Sequence, residues 1–342
     1  MVDPLGHCQE AADQFHGDLI AGRVVLPVLL SVELFNGTFD QGAVEGVDHV
    51  TFYVMGPNYW LAPHRGNFWT TLPTWPTPTS TKYYFTDSGA LTTTVPGDGA
   101  ASFMYDPSDP CPSIGGNNLE IACGPKDQRP LENRSDVLVF TTDELTDDVC
   151  ITGPLIANLA VSTANANDTD WVVRLTDVYP ESHGGGSHLI QDGIIRMRWR
   201  NFLNNPEPEP IVPGQVYPVT VNLWNTSYVF NKGHKIRVTV TSSNSPRFST
   251  NSNLGLPLAH DNQTIPTEYI VANNTLHLGS ESYIDLPIVP LSSLPKFDVK
   301  STVDRAIEKM SGGDSEVAAK MLSAIDKFAE KLGETWRNGD DQ

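Results

Sequence analysis

The sequence is short of positive charge, of cysteine and of long apolar runs, and each shortage removes a class of function. Lys plus Arg number 22 against 41 Asp plus Glu, for a net charge of −19. A polyanion of this kind is repelled by phosphate backbones, which argues against nucleic acid as a partner. No stretch approaches the ~20 apolar residues of a membrane-spanning helix. The longest run, residues 24–30 (VVLPVLL), is cut by Pro27. The opening MVDPLGHCQE lacks the basic start and apolar centre of a signal peptide. Cys8, Cys111, Cys123 and Cys150 never fall at a CxxC spacing, so no zinc site is expected. A calcium loop of the Asp-x-Asp-x-Asp-Gly kind is missing, and His183 and His188 are too loosely placed to suggest a metal site. The G-x-S-x-G turn that presents a nucleophilic serine is missing too. Ser187, in GGGSH, has glycine freedom before it but no strand–turn–helix context, and reads as part of a loop between strands.

What is present is mostly β. From residue 82 to about 289, short runs of apolar and β-branched residues alternate with polar turns, and helical periodicity is almost nil. Strands are expected at 82–85, 91–95, 102–105, 137–141, 149–151, 155–162, 171–178, 193–199, 216–223, 235–241 and 283–289. Many short strands with so little helix imply a two-sheet sandwich or a barrel. Ahead of this, PTWPTPT at 73–79 is stiff and extended, so residues 63–81 read as a linker. Residues 1–62 read as loop, helix and one buried strand (VTFYVM, 50–55), a fragment that cannot bury both its faces alone. After residue 290 two helical stretches follow, split by Gly312-Gly313. In the second, Val317, Met321, Ile325, Phe328, Leu332 and Trp336 form one apolar stripe, and Asp314 is placed to cap it. That stripe is expected to pack on its own chain; the alternatives are a partner or self-association helix and, last because its charges are mixed, contact with a membrane surface.

The densest punctuation lies at 101–142. YDPSDP sets a proline-rigid elbow, Gly115-Gly116 opens conformations closed to other residues, and DVLVF supplies a buried strand. Cys111 and Cys123 flank the glycine pair and either close that loop as a disulfide or stay as buried thiols. YDPxDPxPxxGG, GPxDQRP and DVLVFTT, in this order, resemble the C-terminal domain of bacterial cocaine esterases and X-Pro dipeptidyl-peptidases. DTDW (168–171), LTDVYP (175–180), DGIIRMRWR (192–200), FNKGHKIR (230–237) and SSNSPRF (242–248) continue the resemblance through residues 1–290. Those proteins are α/β-hydrolases with a β jelly roll after the catalytic domain. The resemblance implies a mainly β fold: a jelly-roll, galactose-binding-like sandwich over 82–290. The end of an α/β-hydrolase domain precedes it at 1–62, and a helical tail follows at 291–342.

It further implies that His7, in DPLGH, is the general base of a Ser-His-Asp triad; Asp3 stands where the family usually has glycine. MGPNYW (55–60) then matches the end of the catalytic domain. In α/β-hydrolases the serine and the acid precede the histidine, so both are expected upstream of His7, in a missing hydrolase segment. The loop bearing Gly115, Gly116 and Leu119 is expected to wall the active-site mouth. A small ester or peptide would be the substrate, and no metal or organic cofactor is implied. The alternative is a non-catalytic sandwich that binds carbohydrate or protein. Arg196, Arg198 and Arg200 alternate on one expected strand face and are read as ion-pair partners of nearby aspartates rather than as an anion site. His234 and Arg237 are read as serving the fold. The sequons at Asn36, Asn133, Asn167, Asn225, Asn262 and Asn273 lean toward a secreted glycoprotein.

Overall fold

The computed structural model describes residues 48–57, 64–118, 121–255, 267–298 and part of 301–323. In chain order its strands are β1 (Val50–Val54), β2 (Phe68–Leu72), β3 (Thr79–Phe85), β4 (Leu91–Thr92), β5 (Gly99–Tyr105), β6 (Leu138–Thr141), β7 (Val149–Thr163), β8 (Asp170–Val178), β9 (Ser187–Arg196), β10 (Tyr217–Phe230), β11 (Lys235–Thr241), β12 (Ala272–Leu278) and β13 (Tyr283–Ile288). They build a sandwich. The larger sheet has the order β4-β3-β13-β7-β12-β5, with β10 also paired to β7. The smaller sheet has the order β6-β11-β8-β9.

The core lies between the sheets. Leu155, Ala157, Leu159 and Val161 on β7 meet Trp171, Val173 and Leu175 on β8 and Ile236, Val238 and Val240 on β11. These residues alternate along each strand, as the period of two requires. The next residues on β8, Arg174 and Thr176, are also buried. The outer face of the small sheet is therefore covered as well, and what covers it is the segment between β5 and β6.

Two expected strands, 149–151 and 155–162, are one strand of 15 residues, β7. Gly153-Pro154 does not break it, because both neighbours adjust there. β10 shifts register between Asn222 and Asn225, and β13 between Asp285 and Ile288. Bulges on both sides absorb the donor that proline lacks. β9 starts at Ser187 and ends at Arg196, where a 3-10 turn (Met197–Trp199) takes over. β12 was not among the expected strands. In the sheet Ala272, Asn274, Leu276 and Leu278 face inward, and the side-chain amide of Asn274 donates there to Thr169 Oγ1 and Ser242 Oγ at 2.9 and 2.8 Å.

The expected linker 63–81 contains β2 and the start of β3. β1, read as the last strand of an α/β layer, pairs antiparallel with β2. The chain then bridges from Met55 to β10: Met55 N donates to Ser227 O (3.0 Å) and Val229 N to Met55 O (2.9 Å). Phe52 and Val54 complete a small core with Cys150, Val229, Val289 and Leu294. The described part of the N-terminal region is thus docked on the sandwich. In the tail, Asp314 caps as expected, its Oδ1 accepting from the backbone N–H of Glu316 and Val317. Most of the apolar stripe beyond it lies outside the described residues.

Candidate functional site

The segment over the small sheet is held at many points. Ser113 N donates to Ser245 O (2.7 Å), Gln128 N to Ser187 O (2.7 Å) and Leu189 N to Lys126 O (3.1 Å). Gly116 and Gly124 exchange hydrogen bonds at 2.9 and 3.1 Å and pinch off the loop between them. Glycine is required at 115. Its φ is +70°, and a Cβ there would sit 2.4 Å from Gly124 O. Gly116 packs against the Arg247 guanidinium and Leu189. Leu119 and His7 lie outside the described residues, so of the expected site residues the structure places Gly115 and Gly116, on a pinned loop.

Beneath the loop is a buried polar network. Arg174 donates to Asn244 Oδ1 (3.1 Å) and Ser243 O (3.4 Å), and its Nη2 lies 3.7 Å from Cys111 Sγ. Asn244 Nδ2 donates to Asp192 Oδ2 (2.8 Å), and Arg247 pairs with the other oxygen of Asp192. Cys111 is a free, fully buried thiol, so the bridge to Cys123 considered from the sequence is not formed; Cys123 is itself disulfide-bonded. Cys111 instead packs with Leu131 and Val137. Burial raises its thiol pKa, and nearby Arg174 offsets this in part.

The three alternating arginines do not share a face. Arg196 grips Asp170 with two bonds of 2.8 Å, Arg198 pairs with Asp168 (3.4 Å) and Arg200 with Glu209 (3.2 Å). The turn at 197–199 sends each one a different way. The expected role in ion pairs with nearby aspartates holds for Arg196 with Asp170 and for Arg198 with Asp168. Asp177 and Asp192 take His234 and Arg247 instead. Asp168 is pushed up to about 6 by burial and by Asp170, against the pull of Arg198.

One Asp–His pair has the look of catalytic machinery. His234 Nδ1 lies 2.8 Å from Asp177 Oδ1, and Tyr228 OH donates to Asp177 Oδ2 (2.8 Å). Tyr179 stacks on His188 and leans on His234. Both His234 and Asp177 are 0% exposed, so no substrate reaches them. Burial raises Asp177, and the bond from His234 opposes it. Ser187 is equally sealed, donating to Thr176 Oγ1 (2.9 Å) at the start of β9. Its glycines, all at positive φ, form the β8–β9 connection. Among the described residues no cluster of His, Cys, Asp and Glu is arranged to hold a metal. Asn133, Asn167, Asn225 and Asn273 are exposed; Asn36 and Asn262 lie outside the described residues.

Sequence reasoning missed the partners of Arg174 and the Asp168–Asn251 bond (3.0 Å). The SSNSPRF signature carried the signal, because Ser243, Asn244 and Arg247 all enter the network.

In this sandwich Arg196, Arg198 and Arg200 are committed to carboxylates, and the His234–Asp177 pair is sealed from solvent. The chain belongs to the family described as the X-Pro dipeptidyl-peptidase C-terminal non-catalytic domain, which matches residues 42–285. The cocaine esterase of Rhodococcus sp. (strain MB1 Bresler) is 39% identical over 266 residues, taking in 73% of this chain and 43% of that protein. A solved aminopeptidase from a marine-sediment Thaumarchaeota archaeon superposes with a TM-score of 0.57 at 27% identity, over 66% of this chain and 39% of its own. An α-amino acid ester hydrolase gives 0.55 at 28% identity, over 65% and 39%. The chain spans less than half the length of each of these relatives. By name these relatives are an esterase, an aminopeptidase and an ester hydrolase.

Proposed function

We propose that this chain is the C-terminal part of a serine hydrolase that cleaves an ester or peptide bond through an acyl-serine intermediate. The carrying observation is the 39% identity to a cocaine esterase across most of the chain. In this reading a serine and an acid outside these 342 residues complete a triad with His7. The imidazole takes the serine proton as Oγ attacks the carbonyl, then hands it to the departing alcohol or amine. Water repeats the cycle in reverse and frees the serine. The loop around Gly115 and Gly116 borders the mouth of that site and shapes access without touching the bond that breaks.

A fluorophosphonate probe tests this. The isolated chain stays unlabelled, and the chain joined to its serine-bearing segment labels. His7→Ala in the joined form abolishes labelling and turnover. Labelling of a serine within the isolated chain overturns the proposal, and full activity of His7→Ala overturns the role of His7. A second reading, a free-standing sandwich that binds a carbohydrate or protein, is favoured by the non-catalytic character of the matched family. It predicts no labelling in any form.

A further inference from the structure

We propose that the outward face of the large sheet carries a binding cleft for a neutral saccharide, centred on Tyr283, Asn158 and Glu281. The strand register builds its floor. Tyr84 lies opposite Tyr283, Tyr283 opposite Asn158, and Asn158 opposite Thr220, so one row crosses β3, β13, β7 and β10. Residues directly opposite in a ladder project to the same side. Their chain neighbours Ala157, Leu159, Val219 and Ile284 are buried in the sandwich core, so this row faces away from it. The cleft above the row has a volume of about 390 Å³, and Arg200, Asn201 and Glu281 are among the residues that line it.

The chemistry of the walls selects the ligand. The Tyr283 ring is held edge-on by Tyr84 at 5.6 Å, and the Lys82 ammonium sits over one of its faces at 4.1 Å, so the ring is fixed in place. Asn158 Oδ1 accepts from Thr220, leaving its amide N–H groups open. Asn201 Nδ2 is spent on Glu209, leaving its carbonyl oxygen open. Glu281 adds an exposed carboxylate. Donors, acceptors and one aromatic plate, in a cleft with little apolar wall, suit a ring of hydroxyls with an apolar face. An anion is disfavoured. Arg200 is already matched by Glu209, Glu281 is negative, and the chain as a whole carries −19. A purely apolar ligand would strand the open amides without partners.

The experiment titrates cellobiose, xylobiose, lactose and maltose separately into the 342-residue chain and follows side-chain amide and backbone resonances. At least one gives saturable shifts that include Asn158 and Asn201. Glu281→Gln and Asn158→Ala, which change exposed or half-exposed groups and leave the core intact, weaken that binding about tenfold or more when combined, and Tyr283→Ala weakens it further. No saturable response to any of the four sugars overturns the proposal. So does binding that survives the Asn158→Ala/Glu281→Gln pair, which would put the sugar elsewhere, and so does binding of an Ala-Pro dipeptide in place of every sugar.

Discussion

At the scale of single residues, buried charges beside the small sheet set how stability varies with pH. Asp168 takes up its proton at about pH 6 in the folded protein, against an ordinary value of 3.8. Between those values the native state binds more protons than the unfolded chain, so stability falls as pH rises from about 4 to about 6. The loss is on the order of 3 kcal/mol. Asp168→Asn removes that slope, and denaturation midpoints measured across the interval will show a flatter profile. An unchanged slope would exclude Asp168 as its source. Gly115→Ala tests the pinched loop. The added methyl meets backbone at 2.4 Å, whereas at Gly184 (φ +97°) it meets nothing within 4 Å. Gly184→Ala carries the backbone penalty alone, ~1–2 kcal/mol. Gly115→Ala exceeds it, and the two denaturant midpoints, compared side by side, check the ordering.

At the scale of elements, the β1–β2 hairpin shows what a strand needs beyond its own sequence. VTFYV was recognisable as a buried strand; its partner was not. FWTTL sits among prolines, and nothing local says that Phe68–Leu72 will pair with it or that Met55 will reach Tyr228. Phe52→Ala opens a hole beside Trp75 and Cys150, at a cost of about 3–5 kcal/mol. It also makes the Cys150 thiol, now 2% exposed, react faster with an alkylating reagent. Mass-spectrometric mapping of modified Cys150 measures this, and an unaltered rate would detach the hairpin from that core. The same contrast runs through the chain. Strands with clean alternation, such as Lys235–Thr241, were legible because each carries its own burial pattern. Ala272–Leu278 was not, because Asn274 is buried through hydrogen bonds that its amide donates to residues far away in sequence. Arginine pairing was foreseeable from the supply of aspartates, but which aspartate each arginine takes depends on the turn at 197–199. Of the expected site, Gly115 and Gly116 are seen on the pinned loop, while His7 and Leu119 fall outside the described residues.

At the scale of the whole molecule, one strand sets the order of events during synthesis. β7 pairs with β10, β12 and β13, all of which follow it in the chain, and β3 and β5 also find their partners in β13 and β12. While the polypeptide is still leaving the ribosome, β3 emerges with only the two-residue β4 to zip against, and β5 and β7 with no neighbour. The large sheet cannot seal until residue 288 has been made. For a long interval the growing product shows bare, sticky edges, and the cell's holding chaperones are the natural cover for them.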